Sequence, residues 1–357
     1  METAVQDRAR TEARATTQYG ELKRLVKGAG LLKAQPLYYT LKVSTTLAMV
    51  AVMGAVAWFV SNPWILIADA IFAGFVSTQL GLLAHDVAHR QAFRGRVTNR
   101  AANLVFGNVL LGVSHTWWTT KHNQHHATPN HLDEDPDVNF PMLVFAAEQI
   151  AQKARWLRPF ISIQAFGFVA LLPFQSLNIR YHSVKHLFRP TAQRPWLQAA
   201  AMAVHFVLYG VLLYHLGLGM GIAFFCIHQA SFGLYNGSVF ASNHKGMPMV
   251  KEGERWGFLH EQVLTSRNVV GHPVVDFWAG GLNYQIEHHL FPTMPRNQLA
   301  KAQVLVREFC AQHGIEYYET GFFRSYREIL SALHRASAPL RNGTLGMPPA
   351  AAPAPTK

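Results

Sequence analysis

The chain has 357 residues, half of them hydrophobic and 15% charged. Its two cysteines, Cys226 and Cys310, exclude both a disulfide framework and a thiolate metal site. Lysine and arginine outnumber aspartate and glutamate by 32 to 20, but the basic residues flank apolar segments instead of forming a patch with interleaved aromatics, so nucleic acid is not an expected partner.

The N-terminal part combines a basic segment with two long apolar runs. Residues 1–36 are polar and basic, and ELKRLVKGAGLL predicts a short amphipathic helix at a membrane surface. Residues 41–61 and 64–84 each approach the roughly 20 residues that a bilayer-crossing helix needs. Because Asn62-Pro63 reads as a tight turn, these runs predict a transmembrane hairpin.

The next part is polar and rich in His, Asn, Asp and Trp over residues 85–157, which predicts helices on the cytoplasmic side. Residues 160–178 are apolar, but basic residues lie on both sides of them, which argues against a crossing. A crossing here would also place the histidine motifs on opposite faces of the membrane. We therefore expect an interfacial or re-entrant helix.

A second pair of apolar runs, residues 197–217 and 219–242, predicts another hairpin. Residues 243–337 are polar, and the Pro/Ala-rich residues 338–357 predict a disordered tail. One such run alone would also suit a buried helix of a soluble core, but four together indicate a membrane protein. The expected fold is an all-α integral membrane protein with a membrane domain over 37–337, built of four transmembrane helices in two hairpins and a cytoplasmic helical cap.

The basic residues predict the orientation of these spans. They cluster before the first, after the second, before the third and after the fourth apolar run. Cytoplasmic loops carry an excess of Lys and Arg. We therefore expect a multi-pass cell-membrane protein with both termini and the large loop in the cytoplasm.

Three short motifs carry histidines at helical spacing. They are HDVAH with His85 and His89, HNQHH with His122, His125 and His126, and QIEHH with Gln285, His288 and His289. Residues three and four apart share one face of a helix, so each motif projects its side chains in one direction. Clustered histidines with this spacing predict a metal site.

Seven motif histidines exceed the three or four ligands that one zinc ion needs, which favours two metal ions. Nitrogen ligands without cysteine suit Zn, Fe or Cu, so the residues alone leave the metal open. Asp86 and Glu287 either orient ligand imidazoles or lie on the far helix face in solvent. Asp133, Asp135 and Asp137 either orient ligand imidazoles in the same way or, on the simpler reading, form a plain acidic loop.

These motifs, in this order and with the hydrophobic hairpins around them, resemble the three histidine boxes of the membrane fatty acid desaturase family. The resemblance covers roughly residues 20–320. The strings SHTWWTTKHNQHHATPN, DEDPDV and NYQIEHHLFPTMPR are similar to the front-end subgroup, in which Gln replaces the first His of box three. That subgroup adds a double bond between an existing one and the carboxyl end.

The resemblance implies two non-haem iron ions bound mainly by histidines, on the cytoplasmic side. The implied ligands are the seven box histidines and a further histidine after the last span, which SNHKG places at His244. Gln285 would bind directly, through water or not at all. Histidines inside spans, His205, His215 and His228, are expected to be hydrogen-bonded, whereas His115, His131, His182, His186, His260 and His272 stay undecided.

Many front-end desaturases carry a fused cytochrome b5 domain with an HPGG motif, and Gly271-His272-Pro273-Val274 does not match it. Electrons are therefore expected from a separate ferredoxin or from an oxidoreductase with flavin and iron–sulfur centres. The implied substrates are O2 and a fatty acyl chain on CoA or in a membrane lipid. Trp117 and Trp118 are candidate channel walls, although interfacial aromatics are the simpler reading.

Other functions use similar residues. Membrane hydroxylases and lipid oxygenases have the same boxes, and a zinc-dependent membrane hydrolase would need neither O2 nor a reductant. A metal transporter would place ligands inside the spans at mid-membrane, whereas these motifs lie at the ends of the spans. The string in box three favours desaturation.

Overall fold

The computed structural model describes residues 17–344, and these residues are mainly helical. A helix over residues 17–28, α1, precedes the first apolar segment. The strands described are β1, Asn268–Val269, and β2, Glu319–Thr320, which pair in parallel. Residues 1–16 and 345–357 lie outside the described residues, so most of the predicted tail does too.

Within residues 17–344, four helices are long and apolar enough to cross a membrane, as expected. They are α2 (Pro36–Phe59), α3 (Pro63–Ala88), α9 (Pro195–His215) and α10 (Leu218–Ala241). In α3, 56% of the apolar window is buried inside the protein, against 11% in α2. The first histidine motif thus lies at the end of an inner helix, and the second inner helix, α10, leads to His244.

Small residues let the inner helices approach closely. A Cβ atom on Gly74 of α3 would lie 2.5 Å from the Ser231 Cβ of α10. Helices in membranes gain packing contacts and weak hydrogen bonds when their backbones come this near. On the other side of α10, a Cβ on Gly233 would lie 2.1 Å from the Pro173 carbonyl oxygen.

Between the two pairs of long helices lie shorter ones. After α3 come α4 (Arg96–Asn103), a π-helix (Leu104–Leu110) and α5 (His115–Ala127). Two 3₁₀ turns follow at Ala147–Gln152 and Arg155–Leu157. The apolar segment predicted over 160–178 consists of α6 (Arg158–Ser162), α7 (Gln164–Leu171), a 3₁₀ turn (Leu172–Phe174) and the start of α8 (Gln175–Leu187). It is bent by 92° after Ser162, so it is not one straight helix.

The polar C-terminal region contains α11 (Phe258–Leu264), α12 (Pro273–Ala279), α13 (Gln285–Leu290), α14 (Arg296–His313), α15 (Phe322–Ala336) and α16 (Ala338–Asn342). Helix α16 lies in the stretch predicted to be disordered from residue 338, so the first residues of that stretch are ordered.

Helix α1 was expected at the membrane surface, but its apolar side packs into the protein. Leu22 and Val26 are buried in a core with Ile286 and Leu290 of α13 and Val306 of α14. In addition, the Tyr19 hydroxyl donates a 2.8 Å hydrogen bond to the Leu290 carbonyl. This core holds the short helix that carries the third histidine motif.

Candidate metal centre

The first motif lies at the end of α3. His85 is in the last turn of the helix, and His89 is its C-cap residue, whose N–H donates to the His85 carbonyl. The i, i+4 spacing places both rings on one face, with ring centroids 4.7 Å apart. Both side chains are buried.

The second motif lies on α5, which Ser114 caps by accepting a hydrogen bond from the Trp117 N–H. The i, i+4 pair His122 and His126 has Nε2 atoms 3.1 Å apart. His125 points elsewhere, with its Nε2 3.3 Å from the Nε2 of His244. His122 and His126 on one side of this helix therefore belong to one group of histidines, and His125 on another side belongs to a second group.

The third motif forms α13, in which residues 285–290 are all buried. His288 and His289 are adjacent and so point in different directions: the Nε2 of His288 is 3.1 Å from that of His85, and the Nε2 of His289 is 3.0 Å from that of His244. One short helix thus serves both groups.

Eight histidines come together in this way. The first group has five members and the second three, and within each group the donor nitrogens lie within 4.8 Å of one another: His85, His89, His122, His126 and His288; His125, His244 and His289. The groups adjoin each other, since the rings of His126 and His289 stack with centroids 4.1 Å apart. Seven of these residues come from the three motifs, and His244 is the histidine expected after the last span.

The three-histidine group is oriented by acceptors at the outer ring nitrogens. The Nδ1 of His289 is 2.8 Å from Gln262 Oε1, and the Nδ1 of His244 is 3.1 Å from the Thr265 carbonyl. The Nδ1 of His125 is 3.0 Å from both Asp135 oxygens. These contacts assign the proton to Nδ1 and leave the Nε2 lone pairs directed inward.

Inward lone pairs fit a bound cation. Nitrogen ligands about 2.1 Å from one ion lie about 3.0–3.4 Å apart, close to the Nε2 separations of 2.9–3.3 Å found here. Burial lowers the pKa of His122, His126, His244, His288 and His289, so these rings are neutral at pH 7, as metal ligands must be. The donor set therefore suits a metal site.

Comparison with known proteins identifies the family of the chain. The sequence model of the fatty acid desaturase family matches residues 61–321, which include all eight histidines. The chain belongs to the fatty acid desaturase family.

Related desaturases match over most of this chain. The Delta(6)-fatty-acid desaturase fat-3 of Caenorhabditis elegans is 30% identical over 90% of this chain and 75% of its own length. The Delta(8)-fatty-acid desaturase of Euglena gracilis is 30% identical over 85% and 74%. The Acyl-lipid (9-3)-desaturase of Physcomitrium patens is 30% identical over 88% of this chain, which spans 62% of that protein. The chain is therefore an oxidoreductase of the fatty acid desaturase type, similar to front-end desaturases.

The acidic segment of this desaturase contacts the site at two positions, Asp135 and Asp137. Asp135 is buried against His125, whereas Asp133 is exposed. Asp137 pairs with Lys121 and lies 3.6 Å from His125 Nδ1. Burial opposes protonation of His125, but the Asp135 and Asp137 carboxylates outweigh burial and raise its pKa. The reading of 133–137 as a plain acidic loop is therefore wrong for Asp135 and Asp137.

The two carboxylates within the motifs have different surroundings. Asp86 lies 3.5 Å from His85 Nδ1 and 2.7 Å from Arg296 Nε. Glu287 instead accepts hydrogen bonds from Asn268 at 2.7 Å and Tyr317 at 2.8 Å. It is fully buried, which raises its pKa to about 7. Glu287 thus supports β1 and the segment before β2. The two predictions for Glu287, contact with an imidazole and a charge in solvent, are both wrong.

Gln285 lies at the three-histidine group. Its Nε2 is 2.9 Å from His244 Nε2, and its Oε1 accepts a 2.9 Å hydrogen bond from Asn243. The Gln285 amide is thus near the inward nitrogen of His244, a candidate ligand, and is held by Asn243, the residue before it.

Other histidines of the desaturase have partners outside the two groups. His205 contacts the Val109 carbonyl, His215 the Trp58 carbonyl, and His228 both Ser77 and Tyr209. Of the undecided set, His115 binds Asn108, His131 pairs with Glu261, His186 contacts Thr116, His182 stacks with Trp117, and His272 caps α12. Trp118 stacks on His122 with ring centroids 4.3 Å apart, so it borders the site.

Two residues at the site, Gln262 and Thr265, carried no sequence signal, whereas Arg296 ends the string NYQIEHHLFPTMPR but had no role assigned to it. Gln262 lies on α11 and Thr265 directly follows it. Gln262 is 27 positions from His289, which it contacts, and Thr265 is 21 positions from His244. Only the fold shows that α11 packs beside α13.

Proposed function

We propose that this desaturase introduces a double bond into a fatty acyl chain, carried on CoA or in a membrane lipid, using O2 at two iron ions. The observation that carries the proposal is the convergence of eight buried Nε2 atoms into two adjoining groups. The two groups of histidines support the binding of two ions, and membership of the desaturase family supports the desaturation reaction.

The proposed ligands of one ion are His85, His89, His122, His126 and His288, and those of the other are His125, His244 and His289. Gln285 is the candidate for a further ligand at the second ion because its amide lies beside His244; binding through Oε1 would require the amide to turn, since its Nε2 faces His244 and its Oε1 accepts from Asn243. Asp86 and Asp135 would orient ligand rings and would not bind metal themselves. Glu287 has no such role in this proposal, since its oxygens face Asn268 and Tyr317.

When bound, the iron pair supplies the oxidising power for removing hydrogen from unactivated carbons, which side chains lack. Overall, two adjacent CH2 groups, O2, two electrons and two protons give CH=CH and two water molecules. The protein fixes eight ligand rings on three rigid helices and one helix end. Its fold also determines which carbon lies next to the ions, and thus the position of the double bond.

For the arrangement in the membrane, we propose two transmembrane hairpins, α2–α3 and α9–α10, joined on the cytoplasmic side. The basic residues that flank them support this orientation. The segment 158–187 then returns to the side from which it starts, in keeping with its 92° bend. Both termini and the metal centre would face the cytoplasm, with residues 37–337 as the membrane domain and 1–36 as a cytoplasmic segment.

Electrons would come from a separate protein, a ferredoxin or an oxidoreductase with flavin and iron–sulfur centres. The proposed setting is the cell membrane, whose lipids surround the exposed helices α2 and α9 and carry or receive the acyl chain. The relatives are named for different double-bond positions, so the position in this product is a question for experiment.

The test is expression in a host of known lipid composition that supplies a reductase, followed by gas chromatography and mass spectrometry of its fatty acids. We expect a new unsaturated species in cells with the native chain and none with His125→Ala. Iron analysis of the purified native protein should give about two ions per chain. A hydroxylated product would indicate a hydroxylase, and activity without O2 or reductant would indicate a hydrolase; either result would contradict the proposal.

A further inference from the structure

The two histidine groups differ in what holds their outer ring nitrogens. In the three-histidine group, each Nδ1 has an acceptor within 3.1 Å. In the five-histidine group, the Nδ1 atoms of His85, His126 and His288 are buried without a hydrogen-bond partner among residues 17–344. Over the same residues, the carboxylate nearest an outer nitrogen of this group is that of Asp86, 3.5 Å from His85 Nδ1.

The Asp86 carboxylate is itself held by Arg296. One oxygen faces His85, and the other lies 2.7 Å from Arg296 Nε. Arg296 also donates from Nη2 to the Leu82 carbonyl at 2.5 Å, one turn earlier in α3. Because both charged side chains are buried, solvent does not screen the pair, and neither charge has an alternative partner in water.

Arg296 is in turn fixed by its surroundings. Its backbone N–H donates to the Tyr39 hydroxyl at 3.3 Å, and that hydroxyl donates to Gln91 at 2.9 Å. The side chain packs on Gly280, where a Cβ atom would lie 3.0 Å from Arg296 Nη1. Gly280 has a φ of +59°, which also favours glycine there. The guanidinium therefore has one well-defined position.

We infer that Arg296 is a positioning residue: it holds the Asp86 carboxylate so that this carboxylate orients the His85 ring in the five-histidine group. The inference rests on the proposed metal-dependent function. Arg296 contacts neither Nε2 group and acts only through Asp86. Carboxylates that orient ligand imidazoles raise metal affinity, and their loss weakens binding by about 10- to 100-fold.

The test compares Arg296→Met, Asp86→Asn and the double variant in the purified full-length protein. Cobalt(II) is titrated into metal-depleted protein and followed by its absorption spectrum, and bound iron is counted separately after loading. We expect one of the two ions to bind about 10- to 100-fold more weakly in each single variant. The double variant should be no weaker than either single one, because both act on the same ring.

Controls separate positioning from folding. Arg307→Met removes an exposed arginine of the same helix, α14, that pairs with Glu319 and not with Asp86, so this variant should bind both cobalt ions normally. Arg296→Lys keeps the charge and should restore part of the affinity. If Arg296→Met does not fold, Asp86→Asn with Arg296→Gln replaces the ion pair by two amides and is expected to show the same weakened site. Thermal unfolding of each metal-depleted protein is measured alongside.

The outcomes also separate this inference from the proposed function. A native protein that binds neither cobalt nor iron would overturn both. If the native protein binds two ions and Arg296→Met binds both with unchanged affinity, the inference alone is wrong. A variant that lowers the unfolding temperature without changing the cobalt titration would likewise show that Arg296 only stabilises the fold.

Discussion

At the scale of single residues, the site depends on the groups that accept hydrogen bonds from the outer ring nitrogens of the histidines. Asp135 accepts the backbone N–H groups of Asn130 and Asp137, each at 2.8 Å, as well as the His125 ring. The carboxylate is therefore fixed before any ion binds. A ring held in this way loses little freedom when it becomes a ligand, which favours binding.

Asp135→Asn tests this role. The amide has the same shape but no charge, so the His125 ring becomes less basic, and we expect metal affinity to fall about 10- to 100-fold with a matching loss of product. Metal content per chain and product analysis measure the two effects. Asp133→Asn, on an exposed side chain of the same segment, is the control. Equal loading of both variants would contradict the role of Asp135.

At the scale of helices, the pair α3 and α10 sets the geometry. Their close approach at Gly74 and Ser231 fixes the end of α3, which carries His85 and His89, relative to the end of α10, which leads to His244. Because the backbones are nearly in contact, even a methyl group must move one helix.

We expect Gly74→Ala to destabilise the protein by about 1–3 kcal/mol, the usual cost of overpacking, and to reduce metal loading. Thermal unfolding in detergent and metal analysis measure both effects. Gly210→Ala on α9 is the matched control, because a Cβ there meets no atom within 4 Å. A Gly74→Ala protein as stable as Gly210→Ala would show that the helices are not held at this contact.

At the scale of the whole molecule, a single site built from distant segments requires all of them on one side of the membrane. In the proposed topology, the loops after α3 and after α8 share a side, and the turns α2–α3 and α9–α10 lie on the other. This topology depends on segment 158–187, because a full crossing there would place the loops before and after it on opposite sides of the membrane.

Cysteine labelling tests this topology. In a chain with Cys226 and Cys310 replaced by serine, single cysteines are placed at the exposed positions Ser61, Val97, Thr191 and Leu218. An impermeant maleimide added to intact cells should label positions 61 and 218 only, and positions 97 and 191 should react after permeabilisation. Labelling of 97 and 191 from opposite sides would mean that segment 158–187 crosses the membrane.

The local features of this protein follow from the sequence alone. Four apolar runs of membrane-crossing length and the i, i+3, i+4 spacing of histidines depend only on residues close together in the chain. The family resemblance added His244. These signals indicated the four long helices, the desaturase family and the set of candidate ligands.

The arrangement of those ligands was decided by tertiary structure. His85 and His288 are 203 positions apart in sequence, yet their Nε2 atoms lie 3.1 Å apart. The division into groups of five and three, the support from Gln262 and Thr265, the Arg296–Asp86 pair and the docking of α1 on α14 all depend on how separate helices pack. Helical spacing specifies a direction from one helix, whereas a shared ion requires several helices to meet, and only long-range packing determines where they meet.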